Sequence, residues 1–147
     1  MADFGKSIDT LALEFAAAHH VGESKEAPYA PLISHPIAVA ALVQGETERA
    51  VAYLHDVLED TSATEAELRV LFGDEIADAV VADTRREGED YWAYIERVKK
   101  NPLALKVKLA DLRHNLERET DVSSERYAKH LRAYNELTEF LAKNARE

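Results

Sequence analysis

Four ionisable side chains interrupt an otherwise apolar stretch near the middle of the chain. They are His55, Asp56, Glu59 and Asp60 in the run Ala-Tyr-Leu-His-Asp-Val-Leu-Glu-Asp-Thr. On one helix, at 100° per residue, the four groups fall within an arc of roughly 140°. An imidazole and three carboxylates on one stripe can bind a metal ion and still leave acids free for proton transfer. The pattern therefore favours a metal-dependent hydrolase.

Two other places in the sequence carry groups suited to a metal. His35 stands before Pro36, and Asp111 lies in the run Val-Lys-Leu-Ala-Asp-Leu-Arg-His-Asn. Asp111 and Asn115 are one helical turn apart and share a face, with Lys108 on nearly the same line. A carboxylate rooted beside a leucine stripe is costly to bury unpaired, and a metal would compensate for that cost. Two imidazoles and two carboxylates suit manganese, iron or zinc.

Each of these residues has a simpler explanation when it is taken alone. His35 could be a helix-start or surface residue, and Glu59 and Asp60 could be carboxylates at a helix end. Asn115 could satisfy backbone carbonyls at the end of a helix. Their order and context together favour the functional interpretation.

Helical periodicity dominates the elements that must position these groups. Ser34 and Pro36 predict a helix start, and Thr64 with Glu67 predicts a capping box. No segment alternates as a strand would. The sequence thus predicts one all-α domain over residues 1–147, a bundle of about eight helices. The predicted helices cover residues 8–20, 34–45, 47–60, 64–73, 74–83, 89–100, 102–116 and 123–143, and residues 21–34 and 84–88 are predicted loops.

Composition excludes several classes of protein. The net charge of −10, from 18 basic and 28 acidic residues, repels nucleic acid, although local lysines and arginines can still hold a small anion. No apolar run approaches the roughly 18 to 20 residues that span a membrane. The sequence has no cysteine, which excludes disulfides and thiolate metal sites, and no export signal is visible. We expect a cytoplasmic protein with a small-molecule partner, as a monomer or homodimer.

The motifs taken together resemble the HD-domain metal-dependent phosphohydrolases, and within them the branch that hydrolyses (p)ppGpp. The most specific segments are His-Pro-Ile-Ala-Val-Ala from His35, Leu-His-Asp-Val-Leu-Glu-Asp-Thr from Leu54, and residues 107–116. The histidine–aspartate pair alone would indicate only a phosphohydrolase. The Glu59-Asp60-Thr61 extension and the 107–116 segment are what point to the alarmone branch.

The resemblance implies a role for each of these residues. His35, His55, Asp56 and Asp111 would bind one manganese ion, and Glu59 and Asp60 would be the catalytic acid/base pair. Asn115 would contact substrate near its ribose or 3′-phosphates. The implied reaction removes the 3′-diphosphate from ppGpp or pppGpp, giving GDP or GTP and pyrophosphate. Because Glu59 and Asp60 leave the pocket negative, cations must also surround a polyphosphate, and we expect Lys25, Arg85 and Lys108 to do so.

One segment departs from the family pattern. Relatives carry an arginine- or lysine-rich stretch and then Pro-Tyr-Ile-x-His-Pro, whereas here only Lys25 of the basic pair remains, and either Leu32 replaces the tyrosine or an insertion displaces Pro28-Tyr29. An arginine stacks on a base in a way that lysine or serine does not. The departure keeps open an HD phosphohydrolase that acts on another nucleotide or NADPH. A catalytically silent helical regulatory domain is the third possibility.

Overall fold

The computed structural model describes residues 5–23 and 30–145, with the side chains of 21–23 and 30–32 left aside. Across these residues the regular secondary structure is entirely helical, which confirms the predicted all-α class. Nine helices follow one another: α1 (Ile8–Glu23), α2 (Ala30–Ala40), α3 (Glu46–Leu54), α4 (Val57–Asp60), α5 (Glu65–Phe72), α6 (Asp74–Ala82), α7 (Tyr91–Lys99), α8 (Pro102–Arg118) and α9 (Glu125–Asn144).

The predicted continuous helix over 47–60 is wrong, because the helix breaks at the histidine–aspartate pair. The His55 amide bonds to the Ala52 carbonyl, three residues back, at 3.4 Å. Asp56 has φ −102° and ψ −3°, in the sparsely populated bridge region, and α4 begins only at Val57. The break gives nine helices instead of eight in the described part of the chain.

The second helix begins earlier than Ser34, so the predicted N-cap there is wrong. α2 starts at Ala30, which places Pro31 in its first turn and Pro36 inside it. Proline is favoured in a first turn because its missing N–H is not needed there. Inside the helix, Pro36 cannot bond the carbonyl four residues before it, yet its side chain is fully buried. Because α1 also runs on to Glu23, the predicted loop over 21–34 shrinks from both sides.

Other predicted helix ends are confirmed. The Thr64 hydroxyl accepts from the Glu67 amide at 3.2 Å, and the Thr64 amide donates to the Glu67 carboxylate at 2.9 Å. This capping box starts α5. Gly73, at φ 87°, joins α5 to α6 in a conformation that favours glycine.

Helices α3 and α8 form the centre of the bundle. α3 packs against α1, α2, α6 and α8, while α8 packs against α2, α3, α6, α7 and α9. Leu54 on α3 and Leu112 on α8 are fully buried, and each directly adjoins a residue of the metal-suited set, His55 and Asp111. The apolar core therefore fixes those polar side chains. Among the described residues, no helix combines the length and apolar character that a membrane crossing requires.

Replacing Leu112 by alanine tests how strongly the core supports Asp111. We expect the free energy of unfolding to fall by about 2–5 kcal/mol, because a fully buried leucine leaves a cavity that the surroundings only partly fill. Chemical denaturation measures this change. Val70→Ala is the matched control, since Val70 is 85% exposed and its loss should change stability by less than about 0.5 kcal/mol. Equal effects of the two substitutions would contradict the assignment of Leu112 to the core.

Candidate metal centre and active site

Side chains from three parts of the chain converge at the centre of the bundle. One ligand atom from each of His35, His55 and Asp111 lies within 4.8 Å of the other two. The Asp111 Oδ1 atom is 2.6 Å from His35 Nε2 and 3.7 Å from His55 Nε2. The Asp56 Oδ1 atom is 3.3 Å from His55 Nε2. The structure thus brings His35, His55 and Asp111 together, while Asp56, the fourth residue that the sequence singles out, approaches this group through His55.

The His55 ring is oriented so that one nitrogen is left for a cation. Its Nδ1 donates to the Ala52 carbonyl at 2.6 Å, so Nε2 is the nitrogen that would give up its proton to bind a metal. Nε2 is buried and has no hydrogen-bond partner among the described residues. Burial lowers the pKa of His55, but Asp56 and Asp111 oppose it and raise that pKa to about 10, so positive charge is strongly favoured here. Two imidazole nitrogens and two carboxylates fit a divalent transition metal.

His114 is a residue of this site that the sequence reasoning missed. Its Nδ1 lies 2.7 Å from the Nδ1 of His35, so only one of the two atoms can carry a proton. A metal bound at His35 Nε2, the nitrogen 2.6 Å from Asp111 Oδ1, would leave the ring proton on Nδ1, and that N–H would then donate to His114. Burial and the nearby His35 lower the pKa of His114, which suits a neutral acceptor ring. The available signal was spacing, because His114 follows Asp111 by three residues on α8.

Asp111 is held as an anion by groups on its own helix. Lys108 Nζ lies 3.0 Å from Asp111 Oδ2, and the Asn115 amide donates to Oδ1 at 3.1 Å. Burial would raise the pKa of Asp111, but Lys108, His35 and His55 hold it well below its usual range. Lys108, predicted from charge balance to meet substrate, is only 9% exposed and is paired with Asp111. Asn115 also accepts from Arg118, at 2.9 Å.

A second buried layer adjoins Lys108 and was also missed. The Tyr94 hydroxyl donates to the Asp83 carboxylate at 2.9 Å, and the Tyr94 ring centroid lies 5.1 Å from Lys108 Nζ. Burial raises the pKa of Asp83 to about 7, against the opposing effects of Lys108 and His55. In the sequence Asp83 is an ordinary helix-end aspartate. Only the packing of α6 and α7 against α8 brings it near the site.

Glu59 and Asp60 stand at the solvent side of the cluster. The Arg85 backbone N–H donates to Glu59 Oε1 at 2.9 Å. Partial burial raises the pKa of both the Glu59 and the Asp60 carboxyl. The negative charge of Asp56 raises each pKa further. A raised pKa brings a carboxyl closer to the range in which it can both accept and release a proton near neutrality.

His20, on α1, lies within electrostatic range of Asp56, Asp60 and His55. It is buried, and its Nε2 has no hydrogen-bond partner among the described residues. Burial lowers its pKa, while the charges of Asp56 and Asp60 oppose that shift. Nothing in the sequence distinguishes it from its neighbour His19.

Basic groups gather on the side formed by α8 and α9. A cavity of about 200 Å³ is lined by Asn115, Arg118, Glu119, Arg126 and His130. A more open cavity of about 630 Å³ is lined by Glu59, Arg85, Arg86, Gly88, Glu89 and Asp90. The expected substrate contact Arg85 therefore borders the cavity that holds Glu59. Lys25 lies outside the described residues.

Comparison with known proteins agrees with this geometry. The HD domain family model matches residues 12–137, and the chain belongs to that family. A solved structure of a metazoan SpoT orthologue, described as hydrolysing ppGpp, superposes with a TM-score of 0.71. It is 25% identical, and the match covers 95% of this chain and 88% of that one.

Curated relatives are named for two activities, GTP pyrophosphokinase and guanosine-3′,5′-bis(diphosphate) 3′-pyrophosphohydrolase. The GTP pyrophosphokinase rsh of Brucella ovis is 35% identical over 129 residues, which is 78% of this chain. A probable guanosine-3′,5′-bis(diphosphate) 3′-pyrophosphohydrolase of Synechocystis is 33% identical over 101 residues, or 58% of this chain. The chain spans only 17% and 13% of the lengths of these two relatives.

Replacing His114 tests whether it orients His35. His114→Leu removes the acceptor for the His35 Nδ1–H, and we expect the affinity for manganese to fall about 10- to 100-fold. His114→Asn keeps an acceptor near the position of Nδ1 and should lose less. Competition with a chromophoric chelator measures both affinities. Unchanged manganese affinity in His114→Leu would contradict the role.

Asp83 should make stability depend on pH. Its pKa of about 7 in the folded state lies above the unfolded value of about 3.9. Between those values the unfolded chain releases a proton that the folded chain keeps, so this group weakens folding as pH rises. Asp83→Asn removes the effect and still accepts from Tyr94. In metal-free protein, the stability of the variant relative to wild type should rise by more than about 1 kcal/mol from pH 4 to pH 7. A constant difference in denaturation experiments would contradict it.

Proposed function

We propose that this domain is a manganese-dependent hydrolase that removes the 3′-diphosphate from ppGpp or pppGpp. The observation that carries the proposal is the placement of two raised-pKa carboxyls, Glu59 and Asp60, beside the cluster of His35, His55 and Asp111. The relatives supply the substrate class, since a structural neighbour is described as hydrolysing ppGpp. The absence of cysteine from the whole sequence suits a reducing compartment, and we place the protein in the cytoplasm, as a monomer or homodimer.

His35, His55, Asp56 and Asp111 would hold the manganese ion. Their fit rests on the orphaned Nε2 atom of His55 and on a donor set of two imidazoles and two carboxylates. When bound, such an ion lowers the pKa of a coordinated water and polarises a phosphoryl oxygen. The protein contributes orientation: Ala52 and His114 fix the two imidazoles, and Lys108 fixes Asp111.

Glu59 and Asp60 would move the protons. One carboxylate takes a proton from the attacking water, whose oxygen joins the phosphorus of the 3′-diphosphate. The bond between that phosphorus and the ribose 3′-oxygen breaks, and the oxygen receives a proton from the other carboxyl. The products are GDP or GTP and pyrophosphate. The Arg85 N–H holds Glu59 at this position, so its proton transfer starts from a fixed geometry.

The basic side of the site would receive the negative substrate. Arg118, Arg126 and His130 line the cavity next to Asn115, and Arg85 lines the one next to Glu59. These residues place positive charge beside the metal cluster of a chain whose net charge is −10. We assign Lys108 to hold Asp111, because its Nζ is buried and already paired with that carboxylate. The altered segment before His35 favours, as a second candidate, the same chemistry on another nucleotide or on NADPH.

A double substitution separates the catalytic carboxyls from the metal ligands. Glu59→Gln with Asp60→Asn should lower turnover of ppGpp by at least about 100-fold, since general acid–base catalysis contributes about 10²–10⁴-fold. Manganese affinity should stay near wild type, because the side-chain carbonyl introduced by Glu59→Gln can still accept from the Arg85 N–H. Pyrophosphate release measures turnover, and chelator competition measures the metal.

His55→Ala is the matched comparison, and it should lose both metal and activity. Turnover that persists in the double variant would overturn the roles of Glu59 and Asp60. Wild-type protein that hydrolyses NADPH or another nucleotide but not ppGpp would keep the chemistry and overturn the substrate.

A further inference from the structure

Tyr91 carries a buried polar atom that the catalytic scheme does not use. It is the first residue of α7, and its ring is half-buried. Its hydroxyl oxygen is buried without a hydrogen-bond partner among the described residues. Burial raises the pKa of Tyr91; Lys108 and Arg85 oppose the rise, and Asp111 adds to it. The phenol therefore lies within electrostatic range of the metal cluster while its donor remains unsatisfied.

Two cations lie against the same ring. Lys129 Nζ, from α9, is 4.6 Å from the Tyr91 ring centroid, and Arg85 Cζ is 5.6 Å from it. Lys129 has no ion pair with any acid in the described part of the chain. Burial lowers its pKa, and the charges of Arg85, Arg126 and Lys108 lower it further. Crowding cations without a counter-charge is unfavourable, and an anion bound among them would relieve it.

The position of these groups ties them to the catalytic carboxyl. The Arg85 backbone N–H bonds to Glu59, so the arginine that flanks Tyr91 also borders the proposed acid/base group. A water molecule bonded to the Tyr91 hydroxyl would satisfy that buried atom. Cation–π attraction accounts for Lys129 and Arg85 at the ring, but it leaves the hydroxyl donor without a partner. An anionic ligand explains the orphaned donor and the two cations together.

We propose that the Tyr91 hydroxyl, Lys129 and Arg85 form a subsite for the diphosphate that leaves the substrate. The inference rests on the proposed function only for the identity of that group, because the chemistry recognised is a pyrophosphate anion. A neutral O–H donor and two cations supply the charge-assisted hydrogen bonds that such an anion prefers. Tyr91 would thus act in binding.

Calorimetric titration of metal-stripped protein with inorganic pyrophosphate tests the subsite without any nucleotide. Tyr91→Phe removes one oxygen and keeps the ring and both cation contacts, and pyrophosphate should bind about tenfold more weakly. Lys129→Met should weaken binding at least as much. Tyr53→Phe and Lys143→Met are matched controls from α3 and the end of α9, and they should bind as wild type does. Thermal melting of each variant checks that the fold is retained.

The outcomes separate this inference from the proposed function. Wild-type affinity in Tyr91→Phe overturns the subsite, as does a wild-type protein that binds no pyrophosphate. Loss of binding only when Arg118 or Arg126 is replaced by glutamine moves the anion to the neighbouring cavity and also overturns it. Weaker binding in Tyr91→Phe and Lys129→Met supports the subsite even if ppGpp is not hydrolysed, in which case the proposed function alone fails.

Discussion

The buried carboxylate of Asp111 is the constraint on which the rest of the structure depends. An ionised carboxylate in a protein interior is costly unless several charged or hydrogen-bonding groups meet it. Here Lys108 and Asn115 meet it from α8, His35 from α2, and His55 from the end of α3. Side chains from three helices must therefore meet at the two carboxylate oxygens of Asp111. The core packing of α3 and α8 and the assembly of the metal cluster are therefore a single requirement.

The break between α3 and α4 shows how the chain meets that requirement. A continuous helix would keep His55 and Asp56 in register with Glu59 and Asp60 along one stripe. The turn at His55 instead points its Nε2 toward Asp111 and lets Glu59 reach the Arg85 amide on another element. In the proposed function, metal binding and proton transfer would use the two pairs at different places, near the buried carboxylate and near solvent. An irregular backbone at the junction permits both.

The sequence predicted the features that depend on residue type and local periodicity. The all-α class follows from the 3.6-residue pattern, and His35, His55, Asp56 and Asp111 were singled out by the order and context of their motifs. The sequence did not predict the early start of α2, since Pro36 resembles a first-turn proline until Pro31 is seen to occupy that place. The sequence did not predict the break between α3 and α4 either, because the apolar pattern continues without interruption across the histidine–aspartate pair.

The sequence failed to predict two site residues, His114 and Asp83, for a different reason. His114 matters through its contact with His35, and Asp83 through its contact with Tyr94, both made across separate helices. Single-sequence spacing carries no information about such pairs. Lys108 was assigned to substrate because a negative pocket needs cations around a polyphosphate, whereas its burial and its pairing with Asp111 show which charge it neutralises. Burial, more than residue type, separates supporting cations from those open to a ligand.

Charge balance around Lys108 explains why the site needs both a divalent metal ion in its interior and basic side chains near its exposed carboxyls. Lys108 neutralises Asp111, while Asp83 sits near the same lysine with a pKa of about 7 and is about half protonated near neutrality. Asp56 is then left facing His55 with no lysine of its own, and Glu59 and Asp60 add negative charge toward solvent. A divalent ion supplies the missing positive charge inside. The exposed carboxyls would still repel a polyphosphate, so positive charge must also lie beside them, where Arg85 and Lys129 flank Tyr91.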